Sequence, residues 1–545
     1  MKEILAIDQI GFPVLSALIC LPIVVAIVLQ FLRGEAAQRQ AVLIGATLEL
    51  LLALFVTVKF VPGTADVQFA ERLTWMSDLG ASFHFGVDGI SLLFLPLTAL
   101  VILMALVFSP AGGRSFGRFY YTCIMAFEAI NMGIFSSLDL LSFFVFWELA
   151  LIPSYFLIKL WGLGPQRQYA AIKYVLYMLV GSSPLLIAII LLNANYNDAV
   201  TAGLAAAGQG FDYMALLNVA VQPEVQTTIF FLMIIGFAVK GPVPPFHTWM
   251  PTVLMEGPIG MAIFLVGLKL GVYGMLRFVI PLLPDASREW FWLMAWLGVA
   301  SALYGGLIAL VQPNLRRLMA FASVSHVGLI VLGLFSLNMQ GMQGALVMML
   351  NVGLSATALM FLTGALLRRT GSTDLSAFGG LSRHVPRLAV AFFVIGLASI
   401  GVPGTSGFVG EFLVMLGAFR ADWMLASVAV IGVIISAGYF LWYYERAFFG
   451  PVGSHKIASM PDLNRSETLA VSGVAVLILA IGFFPAPLLN VTGPSIAAVV
   501  ARVDSAGTPK TAALTAPAAT TAAATRTPTA TTVTAALPAQ PATRP

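Results

Sequence analysis

Fourteen stretches of mostly apolar residues follow one another along this chain. Each reaches the roughly 20 residues needed to cross a bilayer. They fall at about 10–32, 41–61, 87–108, 117–137, 139–161, 169–193, 226–246, 255–280, 290–311, 318–336, 342–367, 387–418, 423–448 and 467–490, here spans 1 to 14. In lipid such stretches must be helices, because an open strand would leave its backbone N–H and C=O groups unpaired. The chain therefore reads as an all-α polytopic membrane protein. Charge agrees: only 10% of the residues are Asp, Glu, Lys or Arg, against about 25% in an average soluble domain. That composition also excludes a nucleic-acid binder. The first apolar run reads as a membrane anchor rather than a cleavable signal.

Loop charge sets an orientation. One alternate set of loops holds fourteen basic residues, from Arg33 to Arg465, and the other set, with the N-terminus, holds four: Lys2, Arg72, Arg288 and Arg420. By the positive-inside rule the first set is cytoplasmic and both termini face outward. Residues beyond 500 are almost all Ala, Thr and Pro and read as a disordered tail.

Two spans are interrupted. Span 7 carries Gly241-Pro242-Val243-Pro244-Pro245 beside Lys240, and span 12 carries Gly401-Val402-Pro403-Gly404-Thr405-Ser406-Gly407 just before Glu411. A helix in lipid tolerates such runs only where the freed backbone faces protein or water. An odd number of spans separates the two breaks, which predicts inverted five-helix units, a mark of ion-coupled transporters. The expected organisation is a three-helix segment (1–112), a first repeat of spans 4–8 (113–285), a second of spans 9–13 (286–450), span 14 (451–500) and the tail (501–545).

A charge at mid-bilayer costs at least about 2.5–3.5 kcal/mol and is rare unless it serves transport. Five candidates stand out: Glu148, Lys240, Lys269, His326 and Glu411. The bland alternatives are a neutral acid in helix packing, a snorkelling lysine and a hydrogen-bonded packing histidine. Depth within the spans argues against them. Glu128, which could pair with a lysine, and Lys173 are weaker candidates, and Glu49 and Lys159 weaker still; Lys159 and Lys173 lie where a charged head can snorkel to water. Whether a lysine in lipid keeps its proton depends on how near a carboxylate stands. Glu148 with Lys240, then Lys269, His326 and Glu411, would form a water-bridged proton relay.

No metal site is expected, because His84, His247, His384 and His455 have no cysteine or carboxylate at ligand spacing. Cys20 and Cys123 are too few for an iron–sulfur cluster, and no phosphate-binding glycine motif is present.

Phe146-Trp147-Glu148-Leu149, Pro245-Phe246-His247-Thr248-Trp249-Met250-Pro251, Gly267-Leu268-Lys269-Leu270-Gly271, Ser323-Val324-Ser325-His326-Val327-Gly328 and Gly407-Phe408-Val409-Gly410-Glu411-Phe412 resemble the antiporter-like membrane subunits of NADH:quinone oxidoreductase, respiratory complex I. Pro461-Asp462-Leu463-Asn464-Arg465-Ser466-Glu467 is closer to the M branch than to the longer L branch. The resemblance covers roughly residues 10–490. It implies a proton-translocating subunit of a bacterial inner membrane, beside L-, N-, K- and J-type subunits. It assigns Glu148 and Lys240 as a charge pair, Lys269 as the central lysine, His326 as a connector and Glu411 as the distal proton group. No cofactor is expected on this chain; NADH, FMN, iron–sulfur clusters and quinone belong to partner subunits. Two departures stand out. Val352 stands where the family often has a histidine, and Thr252-Val253-Leu254 replaces Asp-Ala-His. The relay beyond Lys269 would then use Asn351, Ser355 or water. The alternatives are an Mrp-type sodium/proton antiporter subunit, which has no redox partners, and a non-conducting scaffold, which leaves the five inward charges without a purpose.

Overall fold

The computed structural model describes residues 2–108, 116–452 and 455–505. Helix dominates, and each of the fourteen expected segments contains it. Among the described residues, twelve helices are long and apolar enough to cross a membrane. Span 3 is shorter, at Phe94–Phe108. Span 4, Gly117–Ser136, is full length and carries the buried polar side chains of Glu128 and Asn131. Spans 10 and 11, Leu315–Phe335 and Met339–Thr370, are fully buried over their apolar stretches and form the centre of the bundle. Mostly apolar helices belong in such a position, and these two also carry the buried polar groups His326 and Asn351.

Both expected breaks are present. Span 7 runs as Pro223–Lys240, leaves the helix, and resumes as Trp249–Glu256. Span 12 runs as Pro386–Ser399 and resumes as Ser406–Ala421. A third break falls in span 8, where the helix Ile259–Gly267 stops and restarts at Leu270. No proline announces it. Gly271 makes it possible: a Cβ there would stand 2.2 Å from the Phe237 carbonyl oxygen and 2.4 Å from the Gly241 nitrogen. Spans 7 and 8 thus cross backbone against backbone at their interruptions.

Two features escaped the sequence reading. Strands β1 (Glu3–Leu5), β2 (Val67–Met76) and β3 (Ala81–Val87) form a small sheet, β1 parallel and β3 antiparallel to β2. Glu71 on β2 accepts hydrogen bonds from the Leu15 and Ser16 backbone N–H groups at 2.7 and 2.9 Å, satisfying donors that the first turn of span 1 leaves open. Second, span 14 ends at Phe483, and a further helix, Ala486–Ser505, follows. Residues 501–505 are therefore helical rather than part of the tail. Tertiary bonds hold this helix: Arg502 donates to the carbonyls of Pro281 and Leu217, and Gln343 to that of Leu489 at 2.8 Å. The remainder of the expected tail lies outside the described residues.

Candidate proton-relay site

Asp139 caps span 5, its carboxylate accepting from the Leu141 and Ser142 N–H groups at 2.9 Å each. Span 5 carries Trp147 and Glu148 toward the break of span 7. There Lys240 ends its helix and donates to the Trp147 carbonyl at 3.0 Å, with its ammonium 3.8 Å from the centroid of the Trp147 ring. Glu148 lies within electrostatic range of Lys240 but forms no direct ion pair with it, and its Oε1 is buried without a partner. The tandem Trp-Glu is thus a two-part receptor. The aromatic face holds the cation, and the carboxylate stands one residue away.

The break is stabilised by side chains. Lys173 donates to the Thr248 carbonyl and to the Thr252 hydroxyl at 3.0 Å each, and Trp249 donates to the Val239 carbonyl at 2.8 Å. Lys173 thus has defined protein partners rather than a solvent-directed head. Lys159 bonds the Tyr155 hydroxyl at 2.8 Å and has no part in this site.

Lys269 stands at the interruption of span 8 and is buried. Its ammonium donates to the freed Val266 carbonyl at 2.6 Å and to the Ser323 hydroxyl at 2.7 Å. Ser323 lies one turn before His326 on span 10. His326 is buried, within electrostatic range of Lys269, and beside the backbone of Ser399, where span 12 breaks. Its Nε2 has no partner. Asn351 then joins the two halves of span 12, donating to the Ala398 carbonyl at 3.3 Å and accepting from the Ser406 hydroxyl at 2.7 Å. Beyond the break, Glu411 folds its carboxylate over Gly401. A Cβ at Gly401 would meet Oε2 at 1.9 Å, and the residue has φ +66°. Glu411 Oε1 and the Ser355 hydroxyl are buried without partners. Buried polar atoms with no protein partner are sites for ordered water. The result is a discontinuous line of polar groups through the bundle centre, three of whose atoms have no protein partner.

Glu128 lies apart from this line. It is fully buried, neither oxygen has a partner, and its charged neighbour is Glu49, not a lysine. Arg277 was missed, because it sits near the end of span 8 where snorkelling is the default reading. It is buried, pairs with Asp88 at 2.5 Å, and stacks on the Tyr213 ring at 4.6 Å.

At the small sheet, the fold assembles a charge cluster that sequence spacing concealed. His84 on β3 is buried, with Nδ1 2.7 Å from Asp212 and Nε2 3.6 Å from Glu3, and Arg72 also reaches Asp212. Glu3, His84 and Asp212 are close enough to share a metal ion. Yet the acids occupy opposite ring nitrogens, and Arg72 already holds Asp212, so the arrangement fits a protonated imidazole clamped between two carboxylates. Burial works against that proton, but the hydrogen bonds to Asp212 and Glu3 outweigh it and hold the imidazole above its ordinary pKa. Its hydrogen bond lowers Glu3 in turn. The clamp therefore stabilises most between about pH 4.5 and about pH 6.5; it is lost as pH rises through the elevated value of His84 and again as pH falls through the lowered values of Glu3 and Asp212. The His84 carbonyl accepts the Leu138 N–H at 2.8 Å, next to the cap of span 5. Exchange protection of the Leu138 amide, corrected for intrinsic rate, is expected to fall with rising pH in the native chain. In His84→Gln it is expected to be low and flat. An unchanged pH profile in that variant would remove the clamp.

The family described as NADH:quinone oxidoreductase/Mrp antiporter, transmembrane, matches residues 137–436, from before the cap of span 5 to span 13. The chain belongs to this family. It is 32% identical over 492 residues to NADH-quinone oxidoreductase subunit M of Rickettsia bellii, covering 89% of this chain and 97% of that one. With the Rhodobacter capsulatus subunit M it shares 34% over 500 residues, covering 89% and 96%. A chain of respiratory complex I from Thermus thermophilus superposes with a TM-score of 0.81 at 31% identity, covering 90% of this chain and 99% of that one. A chain of the Mrp complex from Dietzia sp. shares the fold, with a TM-score of 0.76 at 23% identity and 90% and 100% coverage.

Proposed function

We propose that this chain is an M-type proton-translocating membrane subunit of an NADH:quinone oxidoreductase. The observation that carries the reading is the placement of Lys240 and Lys269 at two helix interruptions whose backbones touch. In the proposed relay Lys240 exchanges its proton according to the distance of Glu148. Lys269, His326 and, through water at Asn351 and Ser355, Glu411 pass it on. The chain itself moves protons and carries out no redox step; NADH, FMN, iron–sulfur clusters and quinone belong to partner subunits. L-, N-, K- and J-type subunits would flank it in a bacterial inner membrane, with both termini outside. The two broken spans would belong to inverted repeats of spans 4–8 and 9–13.

Purification of the tagged chain from membranes tests this. Co-purification of NADH-oxidising, quinone-reducing activity is expected, with proton uptake in proteoliposomes lost in both Lys240→Ala and Glu148→Ala. Sodium/proton exchange without redox partners would establish the Mrp-type alternative, and near-normal pumping in both variants would sink the charge pair.

A further inference from the structure

The relay above ends at Glu411 with an oxygen that nothing in the protein satisfies. The helix of span 13, Trp423–Phe448, packs beside the one that carries Glu411. Its two flanks differ. One is dry: Phe440, Tyr444 and Phe448 stack in a ladder, with the Tyr444 and Phe448 rings 4.4 Å apart. The Tyr444 hydroxyl donates to the Ala389 carbonyl at 3.2 Å. The other flank carries Tyr439 and Tyr443, one turn apart. Each is 1% exposed, and neither hydroxyl has a hydrogen-bond partner. Glu411 is the carboxylate within electrostatic range of Tyr439, and Asp374 is the one within range of Tyr443. Asp374 is exposed, on the loop that follows Arg368 and Arg369, bonded to Asn314 at 2.7 Å. The turn Leu375–Ala377 beside it packs on span 13.

Two buried phenols with no protein partner require water, since a buried hydroxyl left unpaired is costly. The two hydroxyls do not bond each other either, so a hydrogen-bonded chain between them needs water. A hydroxyl both donates and accepts, and can therefore hand a proton on without holding a charge. We propose that Tyr443 and Tyr439, with the water they hold, form a proton path between Glu411 and the aqueous arginine-rich face at Asp374. It deepens the proton-translocation reading and rests on it. The proton passes from water at Asp374 along the two hydroxyls to the Glu411 carboxylate, or in reverse, with no net change at either tyrosine.

The test uses the assembled complex in proteoliposomes. Tyr439→Phe and Tyr443→Phe remove one oxygen each and keep the ring. The ratio of proton translocation to quinone reduction is expected to fall about threefold to tenfold in each, the size of one missing hydrogen-bonded link. Tyr444→Phe, whose hydroxyl has a protein acceptor, is expected to leave the ratio unchanged. Hydration is read separately in a background carrying Cys20→Ser and Cys123→Ala. Tyr443→Cys is expected to react with aminoethyl methanethiosulfonate added at the arginine-rich face, while Leu441→Cys, turned to lipid at 45% exposure, does not. A wild-type ratio in the double variant Tyr439→Phe/Tyr443→Phe overturns the path. So does a Tyr443→Cys as unreactive as Leu441→Cys, even where a variant fails to assemble. Normal pumping in Lys240→Ala and Lys269→Ala would instead overturn the functional reading beneath it.

Discussion

Lys269→Arg is expected to stop proton translocation as completely as Lys269→Ala. The ammonium of Lys269 is held by a carbonyl that exists as a free acceptor only because span 8 breaks there, and by the Ser323 hydroxyl. Burial of this kind makes a lysine's charge conditional on its surroundings, which suits a group that must both take and give up a proton. Arginine keeps the positive charge but does not deprotonate in proteins. A structural cation would tolerate arginine, and a proton carrier would not. In proteoliposomes holding the assembled complex, the pumping rate should fall at least about tenfold in both variants, consistent with losing a charge-assisted bond of about 1.5–3 kcal/mol. Wild-type pumping in Lys269→Arg would rule out Lys269 as the carrier.

Gly271→Val is expected to have the largest effect on stability. At this position the neighbouring atoms are backbone, belonging to Phe237 and Gly241, so no side-chain rotation can make room. The two interrupted helices would have to separate, and with them Lys240 and Lys269. Overpacking a core typically costs about 1–3 kcal/mol; a clash confined to backbone belongs at or above the upper end. Thermal unfolding of the purified complex should begin several degrees lower, and pumping should fall with it. Gly473→Ala, on span 14 with nothing within 4 Å of the added Cβ, is the matched control and should not destabilise. Equal unfolding curves for the two variants would refute the close crossing.

Much of this site was legible from residue type and depth alone. Glu148, Lys240, Lys269, His326 and Glu411 are conspicuous because charge in lipid is costly, and the Gly-Pro runs at 241–245 and 401–407 are conspicuous because they cannot continue a helix. Glu128, a weaker candidate at mid-span, is set by the fold beside Glu49, away from the relay. The break at Lys269 was not legible, since no proline marks it and glycines such as Gly267 and Gly271 are frequent in unbroken membrane helices; it arises because Gly271 lets another backbone take the space. Nothing in the sequence singles out Tyr439 and Tyr443; the bundle does so by leaving their hydroxyls without partners.

Hydropathy, loop charge and helix-breaking residues act over a few turns, so the chain by itself determined the membrane segments, two of the three breaks and which charges stand in lipid. Partner choice acts over long separations. Lys240 meets the carbonyl of Trp147, 93 residues away, rather than the Glu148 carboxylate beside it. His84 meets Asp212, 128 residues away. Only the packing of helices against one another decides which carbonyl, ring or carboxylate a buried charge will find, because in a low-dielectric interior that charge must take whatever the neighbouring backbone presents.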